Sequence, residues 1–183
     1  LDLDPSRLSY QDGIIPILGG QSDLVLQMFR VYEDRYRARG EKEPREDAYY
    51  PERVESLVKT GALSFGLRRA LGDRVQRVYE LGCGLGISAL AHFLLGGKGL
   101  TAVDLDSTCV SESQELAEAL GVDPSIFQKK DASHMLNNGM SRQDFVYGMS
   151  FEGPLRHTFL RMVEIKLGHA LMCEPLDRDE DER

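Results

Sequence analysis

From Arg77 onward the chain alternates between short apolar, β-prone runs and longer stretches whose apolar positions recur at helical spacing. The short runs predict strands near 77–81, 100–104, 126–130, 145–149 and 170–174. Between them the pattern predicts helices over 86–95, 112–120 and 155–167, the last two stopped by Gly121 and Gly168. Units of this length require right-handed crossovers, so the fold class is α/β with a doubly wound, mainly parallel sheet. The first strand is expected at its centre, with a ligand crevice at the carboxyl ends of strands one and two.

Upstream the pattern is helical. Residues 1–20 are turn-rich around the apolar patch Ile14 to Leu18, and Ser22 and Asp23 can cap a helix over 24–32. Residues 40–47, charged and centred on Pro44, read as a solvated linker. A second helix starts near Pro51, carries Val54, Leu57, Val58, Leu63, Leu67 and Leu71, and stops at Gly72. The expected organisation is a helical cap or substrate-side extension over 1–50, a cofactor-binding domain over 51–176 and an acidic tail over 177–183. Whether the N-terminal helices cover a substrate or pack on one sheet face is open at this level.

Composition narrows the function classes. A chain of 183 residues buries one good core. The formal charge of −8 argues against a basic nucleic-acid face. Cys83, Cys109 and Cys173 lie far apart, which suits buried thiols in a reducing compartment better than a disulfide framework or a metal site. The four histidines are scattered without metal-ligand spacing. No apolar run approaches the roughly 20 residues that span a bilayer, and no basic-then-apolar leader opens the chain. The default expectation is a cytoplasmic protein without a membrane partner, with a homo-oligomer left open. The leading Leu1 leaves room for a processed or longer N-terminus.

The chemistry concentrates where the first strand meets alternating glycines, in Glu80-Leu-Gly82-Cys-Gly84-Leu-Gly86. A strand, a tight glycine turn and an apolar helix let backbone approach a ligand. Asp104, at the end of the second strand, is placed to accept hydrogen bonds from both hydroxyls of a ribose. Two cofactor classes compete. Gly84, Gly86 and Ala89 satisfy the dinucleotide fingerprint, with Asp104 twenty residues after Gly84, so an NAD(P)-dependent oxidoreductase is one reading. Against it, Glu80 precedes the first glycine, where an anion repels a pyrophosphate and suits a ligand carrying an ammonium and a sulfonium.

Over residues 54–176 the sequence resembles the class I S-adenosylmethionine-dependent methyltransferases. Glu80, Gly82, Gly84 and Gly86 look like the family's first motif, which binds the methionine portion of the cofactor. Val103-Asp104-Leu-Asp106 is similar to the second, which implies that Asp104 holds the ribose and Leu105 flanks adenine. Lys130-Asp131-Ala132 is similar to the third, where the acid meets the adenine amino group and the next N–H meets the ring. Asp144-Phe-Val-Tyr147 resembles the fourth, whose strand leads through Met149 into the transfer site, and Gly168 to Glu174 is similar to the fifth strand. Two departures stand out. The family's sixth and seventh strands have no room after Glu174, which suggests a shortened chain or an atypical sheet edge. The Asn/Asp-Pro-Pro-Tyr/Phe tetrad of many amino-methylating nucleic-acid enzymes is replaced by Tyr147-Gly-Met-Ser150, which argues against base N-methylation.

The implied reaction is in-line transfer of a methyl group to an acceptor expected to be a small molecule or a protein side chain. Alignment and desolvation then carry most of the catalysis, with a base where the nucleophile is protonated. His157 can deprotonate a hydroxyl and Glu152 can orient an amine, although each reads more simply as a surface residue; Ser150 lies beside them. His134 reads as cofactor-pocket wall or surface, His92 as core packing and His169 as structural. Tyr10, Tyr32, Tyr36, Tyr49 and Tyr50 crowd the N-terminal part as cavity lining or amphipathic packing. A methyltransferase-like interaction protein without activity is the third reading.

Overall fold

The computed structural model describes residues 51–138, 140–149 and 169–173, together with Val31. Helix α1 (Pro51–Leu71) opens on proline, whose missing N–H costs nothing in a first turn, and ends at Gly72 with φ 57°. A 3-10 turn (Gly72–Arg74) leads into β1 (Arg77–Leu81). There follow α2 (Ile87–Leu94), β2 (Leu100–Asp104), α3 (Ser107–Ala119), β3 (Phe127–Lys129), α4 (Ala132–Asn138), β4 (Asp144–Met149) and β5 (His169–Cys173).

The five strands form one sheet in the order β3-β2-β1-β4-β5, every neighbouring pair parallel. The first strand is central, as the sequence predicts, and the chain winds outward from it in both directions. Alternation along β1 divides the core. Val78 faces a cluster built with Leu57 and Val58 of α1, Ile87 and Leu90 of α2, and Leu116 of α3. Tyr79 and Leu81 face a smaller cluster with Met135 and Leu136 of α4. Helices therefore cover both faces, as a buried parallel sheet requires. Val31 is half-buried against the larger cluster.

Helices α1 and α2 approach closely because Gly61 has no side chain: a Cβ there would run into the Ser88 carbonyl oxygen and lie 2.8 Å from the Ala91 Cβ. At the opposite end of the sheet from the glycine turn, Asp144 is fully buried at the start of β4 and takes a two-pronged pair from its register partner Arg77, at 2.8 and 2.9 Å. Ser141 adds its N–H at 2.7 Å and its hydroxyl at 3.2 Å. The hydrogen bond to Asp144 holds the Arg77 guanidinium above its ordinary pKa. Asp144 thus serves the sheet rather than the crevice.

Several elements differ from the pattern-based expectation. Helix α3 starts at Ser107 rather than 112, because Asp106 caps it by accepting from the Thr108 N–H at 2.8 Å. Its first turn is polar and hides from an apolar periodicity. Helix α4 has seven residues and was not expected; Asp131 starts it by accepting from the Ser133 and His134 N–H groups at 2.7 and 3.2 Å. Strand β3 is shorter than predicted, and β5 begins one residue earlier, at His169. The helices expected over 155–167 and, apart from Val31, over 24–32 lie outside the described residues, as do the tyrosine-rich segment and the tail.

Arg77→Met should cost about 1–3 kcal/mol in urea denaturation, because it leaves the buried Asp144 carboxylate with only the Ser141 donors. Asp144→Asn, which keeps a polar group that still accepts, should cost less. A smaller loss for Arg77→Met than for Asp144→Asn would contradict this account of the pair.

Candidate cofactor site

The site is built where β1 and β2 end. Gly82, Gly84 and Gly86 all adopt left-handed backbone, with φ of 67, 51 and 70°. These conformations carry a steric penalty for any residue with a Cβ. Gly86 has a second reason to be glycine: a Cβ there would run into the Phe127 ring of β3 and sit 3.1 Å from the Ser113 Cβ of α3. The third glycine serves close packing beneath the turn.

The turn is anchored at both polar atoms of Gly84. Its N–H donates to Asp104 Oδ2 at 2.8 Å, and its carbonyl accepts from Ser113 Oγ at 2.8 Å. Ser113 is fully buried and also reaches the Cys109 carbonyl at 2.8 Å, so the turn is tied to β2 on one side and to α3 on the other. The Cys83 N–H extends the β1–β2 ladder to the Val103 carbonyl at 3.0 Å. Ser113 was not singled out in the sequence; the one available signal is a serine breaking the apolar face of a helix that packs on the turn.

Asp104 is half-buried, and its other oxygen accepts from the Asp106 N–H at 2.9 Å. Both oxygens are therefore oriented, and each keeps accepting capacity toward solvent. Leu105 beside it is 67% exposed. An apolar side chain left in water at the strand end offers a surface for a flat ring. Asp131 is exposed one strand further out, but one of its oxygens caps α4, a task the sequence did not reveal. Ala132 is half-buried in the first turn of that helix. His134, also on α4, is exposed with its ring 3.4 Å from the Asn138 amide.

Glu80 is placed differently from the rest. It is 3% exposed, on the α1–α2 side of the sheet, and its Oε2 accepts from the Tyr147 hydroxyl at 3.4 Å. Burial pushes its carboxyl up to about 8, only partly opposed by Ser88, Tyr147 and the Ala89 N–H. An anion standing in the crevice, the premise of the charge argument against a pyrophosphate, is not what the carboxyl presents. It lies inside, largely neutral at pH 7. The layer around it is polar. His92, fully buried, bonds Ser64 Oγ through Nδ1 at 2.7 Å and stacks on Tyr147 with ring centroids 6.1 Å apart. Burial holds its pKa down to about 4. Its Nε2 has no hydrogen-bond partner among the described residues. His92 is thus core, as expected.

Cys83 is buried, its thiol pushed up by burial, whereas Cys109 is only half-buried and pushed up to about 11. The expectation of buried thiols holds for Cys83 and not for Cys109. Met149 ends β4, at the same carboxyl edge as the glycine turn. Glu152, His157 and Ser150 lie outside the described residues. Among the described residues no group of side chains has the makings of a metal site, and no helix is long and apolar enough to cross a membrane.

The buried pair Glu80 and His92 yields a pH prediction. Glu80, raised from 4.5 to about 8, stabilises the fold fully below 4.5 and loses that contribution as pH rises through 8. His92, lowered from 6.5 to about 4, contributes above 6.5 and loses its part as pH falls through 4. From 6.5 to 8 only Glu80 acts, with a slope of at most ~1.4 kcal/mol per pH unit. Wild-type stability to urea should fall across that window and Glu80→Gln should flatten the fall. Parallel profiles would mean that Glu80 does not titrate there.

Residues 59–146 match the sequence model of the ribosomal protein L11 methyltransferase family (PrmA). No curated protein matches. Among solved structures, the ribosomal protein L11 methylase from Lactobacillus delbrueckii subsp. bulgaricus is 21% identical, covering 60% of this chain and 52% of its own, with a TM-score of 0.44. A putative RNA methyltransferase from Pyrococcus horikoshii is 23% identical over 66% of this chain and 59% of its own, TM-score 0.43. Magnesium protoporphyrin IX methyltransferase from Synechocystis PCC 6803 is 16% identical over 75% and 65%, TM-score 0.43. The chain spans about half the length of the L11 methylase it matches. With its parallel sheet wound outward from β1 and its glycine turn tied to the acid ending β2, the chain has a Rossmann-like α/β fold and is similar, over residues 59–146, to the class I S-adenosylmethionine-dependent methyltransferases.

Proposed function

We propose that this chain binds S-adenosyl-L-methionine and transfers its methyl group to a small molecule or a protein side chain. The observation that carries the reading is the Asp104 carboxylate, held 2.8 Å from the Gly84 N–H at the end of β2, with the exposed Leu105 beside it. The oriented acceptors suit ribose hydroxyls and the apolar side chain suits adenine, so the residues present fit the cofactor. Asp131 accepts the adenine amino group with the oxygen that α4 leaves free, and the Ala132 N–H meets the ring. The bare backbone of Gly82 and Gly84 admits the methionine portion, with Gly86 supporting the turn from below. Glu80 acts on that turn from inside the fold.

When bound, the cofactor supplies an activated methyl on a sulfonium. The chain's part is to hold the acceptor in line with the methyl–sulfur bond, exclude water and take a proton where the nucleophile carries one. Met149, ending β4, borders the acceptor. His157 is the candidate base for a hydroxyl, and Glu152 the candidate partner for an amine. Residues 1–50 act as the cap that completes the acceptor side, with 51–176 as the cofactor domain and 177–183 as a tail. A dinucleotide oxidoreductase needs neither Leu105 in the open nor the Asp131-Ala132 pair.

Isothermal titration should show micromolar-scale binding of S-adenosylmethionine or its demethylated product and none of NAD; NAD binding alone would reverse the assignment. Asp104→Ala should weaken cofactor binding by roughly 1–3 kcal/mol. Asp106→Ala should instead lose about 1 kcal/mol of stability through the α3 cap, with little effect on affinity. Deleting residues 1–50 should leave cofactor affinity within about tenfold while abolishing methyl transfer. Loss of cofactor binding on that deletion would make the segment part of the core.

A further inference from the structure

The net charge of −8 conceals an uneven distribution. At the amino ends of the strands, opposite the crevice, the end of α1, the turn after it, the α2–β2 loop and the approach to β4 come together. They are stitched by Gln76 N–H to the Gln143 carbonyl at 2.8 Å and Val78 N–H to the Gly99 carbonyl at 3.0 Å. This rim carries Arg69, Arg74, Lys98 and Arg142, all exposed and all without an ion pair or hydrogen bond among the described residues. Arg77 adds a half-exposed guanidinium, committed to Asp144. Among the described residues the opposing charges here are Asp73, exposed, and Asp144, buried under Arg77; Glu118 and Asp123 lie apart, on the β3 side.

We propose that this rim docks the phosphate backbone of a single-stranded nucleic acid. Three of the four free cations are arginines, whose planar forks match the paired oxygens of a phosphate. The rim is also low in relief: a Cβ on Gly72 or Gly96 would meet nothing within 4 Å, so an extended strand can come down onto backbone between the cations. A protein partner usually needs apolar anchors. The nearest exposed large apolar residue is Leu94, at 37%, and the rim presents no exposed aromatic ring among the described residues. Affinity must then come from counterion release, which a polyphosphate supplies without base contacts. The surface faces away from the glycine turn, so this inference stands or falls independently of the methyl-transfer reading.

The probe is a fluorescein-labelled 20-nucleotide oligouridylate, followed by anisotropy. Four cations predict a slope of log K against log salt near −3, an affinity loss of about fifty-fold between 50 and 200 mM salt. The R69Q/R74Q/K98Q/R142Q variant should bind at least tenfold more weakly at 50 mM salt and melt at the wild-type temperature. Each single substitution should shallow the slope by about 0.7. If the fourfold variant fails to fold, Arg74→Gln with Arg142→Gln, both in exposed turns, replaces it, with twice that change expected. Wild-type affinity in either variant, a salt-insensitive constant, or tighter binding of a polyglutamate peptide of equal charge would overturn the proposal.

Discussion

Gly84 sits in left-handed backbone with its N–H on the Asp104 carboxylate and its carbonyl on the Ser113 hydroxyl. Both polar atoms of one peptide segment are thereby committed, one to the end of β2 and one to a helix behind it. A turn of glycines has more conformational freedom than any other chain segment and loses the most on ordering. Without those two bonds the loop after β1 would be an ensemble. With them it is a fixed edge, and Asp104 is fixed along with it, since the bond that holds the turn also orients the carboxylate.

A second set of polar interactions lies inside the core. Glu80, Tyr147, Ser64 and His92 place polar groups between the sheet and helices α1 and α2. One atom there, His92 Nε2, has no partner among the described residues. Buried polar groups of this kind cost stability and are tolerated where they specify one arrangement. At the far end of the sheet the Arg77–Asp144 pair sets the β1–β4 register, which carries through to Glu80 and Tyr147.

The two ends of the sheet consequently differ in character. The carboxyl end gathers Asp104, Asp106 and Asp131, each using an oxygen to order local backbone. The amino end gathers cations without a partner among the described residues. A parallel sheet sends all its strand-to-helix loops to one edge and all its helix-to-strand loops to the other. Residues scattered along the chain are therefore sorted into two surfaces by topology alone. The overall charge of −8 says nothing of this sorting.

What the sequence by itself determined is the α/β class, the five strand positions and the strand-end placement of Asp104, Leu105 and Asp131. These follow from local period and from glycines that only a turn accommodates. It also identified α1, because proline and glycine mark its ends. It missed α4 and the first turn of α3, where a side-chain cap rather than an apolar stripe starts the helix. Only the tertiary structure decided which face each strand residue took. That put Glu80 inside rather than in the crevice, brought Ser113 to the Gly84 carbonyl, made Gly86 a packing residue against Phe127, and turned Asp144 into a structural anchor. Those outcomes depend on contacts between residues 29 to 67 positions apart, and a pattern with a period of two or 3.6 carries no information at that range.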